Sequence, residues 1–386
     1  MPRLKVVHAA KFYPPVRGGM ETVVGDLCSG TAGEWDVRVV AANDGVRTVH
    51  EQLDGVDVVR AGVFGTLSSV PLCPSFPFHL WREPADCVVL HEPNPVAGTS
   101  VALRCPARRL IVWHHADLLR PWWAPYTYGR IQRALYRRAD CVIVSSPSLA
   151  ADSRLVAVAR RVAVIPFGIR LERYRVVDGH RAALVEQIRA ATPGPRVLFV
   201  GRFVYYKGVH VLIDAMSECP GTLMLVGEGP LEGELRRRVI ERGLQDRVVF
   251  AGQVTDEALP AYYQASDLFV LPSIARTEAF GVVQVEAMAA GIPVVSTNLP
   301  TGVPWVNQDG VSGLVVPPGD SQALGRAIGT LLADGPLRAR LGGQASARAD
   351  RLFSRRGMID AFRNVVETVV RAPAELDAGL ARAEVS

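Results

Sequence analysis

The sequence predicts an α/β protein built from two successive doubly wound units, each a parallel sheet covered by helices. Three observations lead there. Short Val/Ile/Leu runs alternate with amphipathic stretches along the chain, as parallel strands buried on both faces require. The alternation restarts after residue 195, which implies a second sheet. The 386 residues, 49% of them hydrophobic, supply about two to three domains' worth of globular protein, enough to bury large cores.

In the first half the pattern predicts strands near Lys5–Ala10, Val37–Ala42, Val88–His91, Leu110–Trp113, Cys141–Ser145 and Val162–Ile165. In the second half it predicts them at Arg196–Val200, Thr222–Val226, Val248–Ala251, Leu268–Leu271, Pro293–Ser296 and Gly313–Val316, with helices near 208–217, 231–242, 256–264, 282–290 and 321–333. The uncharged run Ala61–Trp81 is long enough for a membrane span, but Pro71, Pro74 and Pro77 make it a loop. A hinge is expected near Pro166–Arg170. This gives domains at 1–168 and 169–353, and then a segment 354–386 whose helix, from Ser354 to Val370, packs back on the first domain ahead of a mobile Ala-rich tail. Two doubly wound units imply a cleft between them, with ligands at the carboxyl ends of the strands.

Composition narrows the function. The six cysteines lie far apart, without Cys-x-x-Cys or zinc-type spacing, so neither a disulfide framework nor a zinc site is expected, and a reducing cytoplasm fits. The amino end reads as a first strand rather than a signal peptide. Residues 1–170 hold 20 Lys and Arg against 14 Asp and Glu, whereas 171–386 hold 23 against 24. Between Arg104 and Arg138 eight arginines meet one acid, Asp117, and are interleaved with Trp113, Trp122, Trp123, Tyr126, Tyr128 and Tyr136. That mixture suits an anionic surface, a lipid headgroup layer or a diphosphate; a solvated helix face is the other reading. No nucleic-acid module is visible, so no nucleic-acid partner is expected.

The most informative stretch is Glu278-Ala-Phe-Gly-Val-Val-Gln-Val-Glu286. It follows a buried strand stopped by Pro272 and runs into a helix that ends at Gly291. Phe280 and Gly281 therefore sit at a helix start, where unpaired amides and the positive end of the dipole attract phosphate, and two carboxylates able to accept sugar hydroxyls flank it. Taken alone, Glu286 is also a dipole partner open to solvent. Pro14-Pro-Val-Arg-Gly18-Gly19-Met-Glu21 follows the first strand; paired glycines allow close approach of a phosphate, or make a tight turn. Arg202 and Lys207, after the first strand of the second half, can flank one diphosphate as fork and point charge. Gly227-Glu-Gly229-Pro-Leu-Glu-Gly233 misses the dinucleotide fingerprint by one residue and reads as a turn into a helix. Trp113-His114-His115-Ala-Asp117 and His91-Glu-Pro-Asn94-Pro95 end strands at one sheet edge, as structural or substrate-facing groups. No Asp-x-Asp pair for a nucleotide-sugar-bound metal is present, and no Ser/His/Asp set.

Together Gly18-Gly19-Met20-Glu21, Gly201-Arg202 with Lys207-Gly208, Val226-Gly227-Glu228-Gly229-Pro230, Glu278-Ala279-Phe280-Gly281 with Glu286, and Gly310-Val-Ser-Gly313-Leu-Val-Val-Pro317 resemble family 4 of the glycosyltransferases over roughly residues 3–365. The resemblance implies the GT-B fold, two Rossmann-like domains facing a cleft, and retaining, metal-free transfer of a hexosyl unit from a nucleoside diphosphate sugar to a hydroxyl. It implies that Arg202 and Lys207 hold the diphosphate, joined by the Gly18-Gly19 turn through the Gly19 amide. Glu286 would take the ribose hydroxyls, and Glu278 with the Phe280 and Gly281 amides the sugar. His115, with His114 as its rival, would stand near the reacting sugar. The amino-terminal half is most similar to bacterial transferases of cell-surface polysaccharide synthesis, with a GDP-mannose or GDP-rhamnose donor or a UDP-sugar, a glycan or polyprenyl-diphosphate-linked acceptor, and a cytoplasmic site, on an anionic membrane surface in one reading. A GT-B epimerase or phosphorylase, or a non-catalytic sugar-nucleotide scaffold, are the alternatives. Thr301-Gly-Val-Pro-Trp305 stands where many relatives carry Gly-Gly-x-x-Glu.

Overall fold

The computed structural model describes residues 3–16, 18–67, 70–116, 124–176 and 178–372, the side chains of 124–127 excepted. Asp117, Trp122, Trp123, the Tyr126 side chain and the tail after Pro373 lie outside the described residues. The chain divides into two compact units, Met1–Phe167 with Arg356–Ser386, and Gly168–Arg355.

The first unit is built on an eight-stranded sheet. Its strands are β1 (Lys5–Ala9), β2 (Asp36–Ala42), β3 (Val49–Leu53), β4 (Val56–Ala61), β7 (Ala85–Glu92), β8 (Ala107–His114), β9 (Cys141–Val144) and β10 (Val162–Val164), a separate two-stranded ribbon being formed by β5 (Thr66–Leu67) and β6 (Val70–Pro71). The order is β10-β9-β8-β7-β1-β2-β4-β3, parallel except for β3, which pairs antiparallel with β4. The strand order turns at β1, between β7 and β2, so the loop after β1 opens at a topological switch point. Helix Arg355–Arg371 sends Phe362 against the rings of His8, Trp35 and Trp113, which is how residues far along the sequence close this core.

Two expectations are corrected here. Ala61–Trp81 is not a loop throughout: it carries the β5–β6 ribbon and a short helix, Phe76–Trp81, because Pro77 in the first turn starts a helix rather than breaking one. The interleaved arginines and aromatics do not share a surface among the described residues. On helix Ala124–Arg138 the arginines Arg130, Arg133, Arg137 and Arg138 are exposed, while Tyr128 and Tyr136, with Trp113 of β8, are buried. The helix is amphipathic, so its 3.6-residue period separates what the sequence interleaves. No helix among the described residues is long and apolar enough to cross a membrane.

The second unit is a six-stranded all-parallel sheet of β11 (Arg196–Val200), β12 (Thr222–Val226), β13 (Val248–Gly252), β14 (Leu268–Leu271), β15 (Val294–Thr297) and β16 (Gly313–Val316), in the order β13-β12-β11-β14-β15-β16. Its central strands are sealed by helices on both faces, with Val197, Phe199, Leu223, Leu225, Leu268 and Val270 all at 0% exposure, which explains their unbroken apolar runs. The switch point falls between β11 and β14, and the ends of these two neighbouring strands launch the segments that carry Lys207 and Glu278.

Candidate active site

The glycine-marked turns of the second unit are set by close backbone approach. Gly208, at φ 67°, caps the helix Val209–Ala215, and a Cβ there would lie 2.0 Å from the Pro272 carbonyl oxygen. The loop after β11 is thereby pressed onto the loop after β14, and the Ile274 amide donates to the Tyr206 carbonyl at 2.8 Å. Gly227 is needed for the same reason: its Cβ would meet the Gly201 carbonyl at 2.1 Å.

That contact brings Lys207 to Glu278. The Lys207 ammonium bonds the Glu278 carboxylate at 2.5 Å, with only 12% and 9% of the two side chains exposed, and the buried Ser273 hydroxyl donates to the same Oε2 at 2.9 Å. Burial works against the ammonium, but the neighbouring Glu278 charge, then Tyr206 and the Glu278 hydrogen bond, outweigh it and hold Lys207 above the usual lysine value. Arg202, in the same loop, is exposed.

Gly281, at φ 71°, is the N-cap of the helix Val282–Ala289; a Cβ on it would lie 2.5 Å from Leu271 Cδ2. Phe280 is buried beside Trp305 and Phe353, anchoring the turn. The Gly302 amide donates to the Ala279 carbonyl at 2.8 Å, so the Thr301–Trp305 segment, with its short helix Val303–Val306, braces this turn from β15. Glu286 lies in the second turn of the helix Val282–Ala289. The Tyr263 hydroxyl donates to its carboxylate at 2.7 Å, and Tyr174, edge-on to Tyr263, also bonds it. Burial pushes the Glu286 carboxyl up, and the two tyrosine hydrogen bonds only partly oppose it. A strand-end loop with a lysine–glutamate pair, a helix start and a second carboxylate suits an anionic group joined to a polyhydroxyl one.

In the first unit, Gly18 is the N-cap of the helix Gly19–Thr31; a Cβ on it would lie 2.0 Å from a Glu21 carboxylate oxygen, while nothing lies within 4 Å of one built on Gly19. Lys11, Met20, Glu21, His91 and His115 line one pocket at the carboxyl ends of β1 and β7. His115 and His114 part company here. His115 lines the pocket and its Nε2 is 3.0 Å from His91 Nδ1, whereas His114 turns into the core, its Nδ1 2.6 Å from the Tyr136 hydroxyl. Burial, then the His114 charge, pulls His115 down to about 3, so it is neutral at physiological pH.

Sequence reasoning missed Ser273, Tyr174 and Tyr263, whose roles come only from tertiary contact, and it missed His8, hidden within a strand that reads as plain core. Among the described residues no group of three or more His, Cys, Asp or Glu is arranged to hold a metal ion.

The chain matches the family described as "Glycosyl transferases group 1" over residues 181–348 and the "Glycosyl transferase 4-like domain" over residues 18–168. It is 32% identical over 378 residues to O-antigen chain mannosyltransferase C of Escherichia coli, spanning 96% of this chain and 100% of that protein. It is 31% identical over 359 residues to D-rhamnosyltransferase WbpZ of Pseudomonas aeruginosa, spanning 91% and 92%. A solved structure of Anabaena HepE in complex with UDP-glucose superimposes with a TM-score of 0.77 at 25% identity, over 95% of this chain and 100% of that one. With two doubly wound sheets and matches that run nearly end to end, the chain belongs to the group 1 glycosyl transferases, family 4, of GT-B fold.

Proposed function

We propose that the protein is a retaining, metal-independent hexosyltransferase that uses a nucleoside diphosphate sugar to extend a lipid-linked glycan in O-antigen-type polysaccharide synthesis. The observation that carries the reading is the Lys207–Glu278 pair at the switch point of the second unit, beside the helix start at Gly281. In this reading Lys207, Arg202 and that helix start receive the diphosphate, Glu286 the ribose and Glu278 the transferred sugar. His115 meets the sugar from the first unit, with Gly18 and Gly19 at the helix Gly19–Thr31 giving a further phosphate contact. No protein nucleophile takes part. The acceptor hydroxyl attacks on the face the diphosphate leaves, and a departing phosphate oxygen takes its proton, so the protein contributes placement and charge. The absence of an Asp-x-Asp pair supports charge neutralisation by Arg202, Lys207 and helix ends in place of a divalent metal. The names of the E. coli and Pseudomonas relatives favour a mannosyl or rhamnosyl group, for which the family resemblance suggests a GDP-linked donor, and the HepE complex keeps a UDP-sugar in view.

A panel of GDP- and UDP-sugars, scored in EDTA by thermal stabilisation and by donor consumption with and without a polyprenyl-linked glycan, tests this. Stabilisation by one nucleotide sugar, with acceptor-dependent turnover, is expected. Turnover that depends on added metal, or donor conversion needing no acceptor, contradicts it.

A further inference from the structure

Three imidazoles form a continuous chain across adjacent strands of the first unit. His8 of β1 places Nδ1 3.0 Å from His91 Nε2, and His91 of β7 places Nδ1 3.0 Å from His115 Nε2, just past β8. The rings stack in sequence, with both His8–His91 and His91–His115 centroids 5.3 Å apart, and Trp113 stacks on His115 from beside it. All three are buried, and burial keeps His8 and His115 near 3 and His91 well below its usual value, so the chain is uncharged at neutral pH.

A neutral imidazole has one N–H and one bare nitrogen, so three in series allow only two patterns, and choosing one ring's tautomer chooses all three. Among the described residues the two outer nitrogens, His8 Nε2 and His115 Nδ1, have no hydrogen-bond partner. One end must carry a free N–H and the other a free lone pair. Both nitrogens are buried, but the His8 ring is enclosed by core with Phe362 beside it, whereas the His115 ring borders the pocket, so only the His115 end can meet an entering ligand. A buried orphan N–H is rarer in proteins than an orphan acceptor, so the free N–H belongs at the end that a ligand in the pocket can satisfy, His115, and the bare nitrogen at His8. The protons then lie on Nδ1 of all three rings.

We propose that His8 and His91 are positioning residues that lock His115 as a neutral Nδ1–H donor toward a hydroxyl oxygen of the sugar in the pocket shared with Lys11 and Glu21. The proposal rests on the hexosyltransferase reading for the identity of the oxygen, but not for the chain itself.

Long-range proton–nitrogen correlation on the full chain, with histidine side chains labelled with nitrogen-15, reads the tautomers at pH 7 without any mutation. His115 protonated only at Nδ1 is expected; protonation at Nε2, or at both nitrogens, overturns the proposal. In His91→Leu, His115 loses that signature and kcat falls about tenfold with donor KM within about a factor of two, as for loss of one oriented neutral hydrogen bond. His91→Asn, whose amide nitrogen replaces Nδ1, restores both. A folded His91→Leu with wild-type tautomer and kcat refutes the chain's role, and if that variant does not fold, the wild-type spectrum decides. Absence of donor turnover in the wild type would remove the hexosyltransferase reading while leaving the tautomer result standing.

Discussion

Lys207 has two tasks in this account, neutralising Glu278 and receiving a diphosphate, and the two separate in a double-mutant cycle. In Lys207→Met the Glu278 carboxylate stays buried, left with the Ser273 hydroxyl at 2.9 Å. Removing one partner of a buried pair costs about 3–5 kcal/mol, and the remaining hydroxyl bond puts the loss near about 3. In Lys207→Met/Glu278→Gln the stranded charge is gone, so most of that stability returns, to within about 1 kcal/mol of wild type. Affinity for the nucleoside diphosphate should behave otherwise. Losing one phosphate donor costs on the order of 2–4 kcal/mol by analogy with oxyanion holes, about 30- to 1,000-fold, and Glu278→Gln does not bring it back. Denaturant unfolding gives the first quantity and calorimetric titration of the nucleoside diphosphate the second. If the double variant binds the diphosphate as tightly as wild type, Lys207 serves only to neutralise Glu278 and the phosphate assignment fails. The pair also has a defined pH window. Because the folded Lys207 value is raised, its contribution is complete below the ordinary lysine value of 10.5 and is lost only as pH climbs through the higher folded value.

Four further outcomes follow from the same geometry. Glu286 is raised by burial, so its ionised form opposes folding: Glu286→Gln should raise the unfolding midpoint at pH 7 and leave it unchanged below about pH 4, while weakening donor binding; equal midpoints at both pH values refute the burial argument. Glu286→Ala should act mainly on donor affinity and Glu278→Ala mainly on the transfer rate, a split that steady-state kinetics on both variants resolves. Gly208→Ala, with its Cβ 2.0 Å from a backbone oxygen at φ 67°, should lose about 2–4 kcal/mol in denaturant unfolding, and a loss under 1 would show that the two loops are not pressed together. Anionic vesicles should sediment the protein at low salt and release it at high salt, through the exposed Arg130, Arg133, Arg137 and Arg138 face at about 1 kcal/mol each; equal binding to neutral vesicles leaves that face as solvated charge only.

The second unit was the more legible in the sequence, for a physical reason. β11, β12 and β14 are buried on both faces and each is followed directly by a Pro or Gly, so their apolar runs and carboxyl ends read directly. In the first unit Val49–Leu53 is a polar edge strand, Val-His-Glu-Gln-Leu, exposed along much of its length, and it carries no such signal. Glu278, Gly281 and Glu286 were readable as a local loop-to-helix pattern. Their partners were not, since the contact of Lys207 with Glu278 exists only because β11 and β14 are neighbours, and Tyr174 and Tyr263 reach Glu286 from elements far off in sequence. His91 showed as a strand-end residue, but its tie to His8 needs the β1–β7 pairing.

The most direct test of the central claim is proton NMR of the first-formed product when the enzyme, in EDTA, turns over an α-linked GDP- or UDP-hexose with its glycan acceptor. An α-glycoside, formed without metal and at a rate that Glu278→Ala sharply reduces, is expected. A β-glycoside, or full activity in that variant, contradicts it.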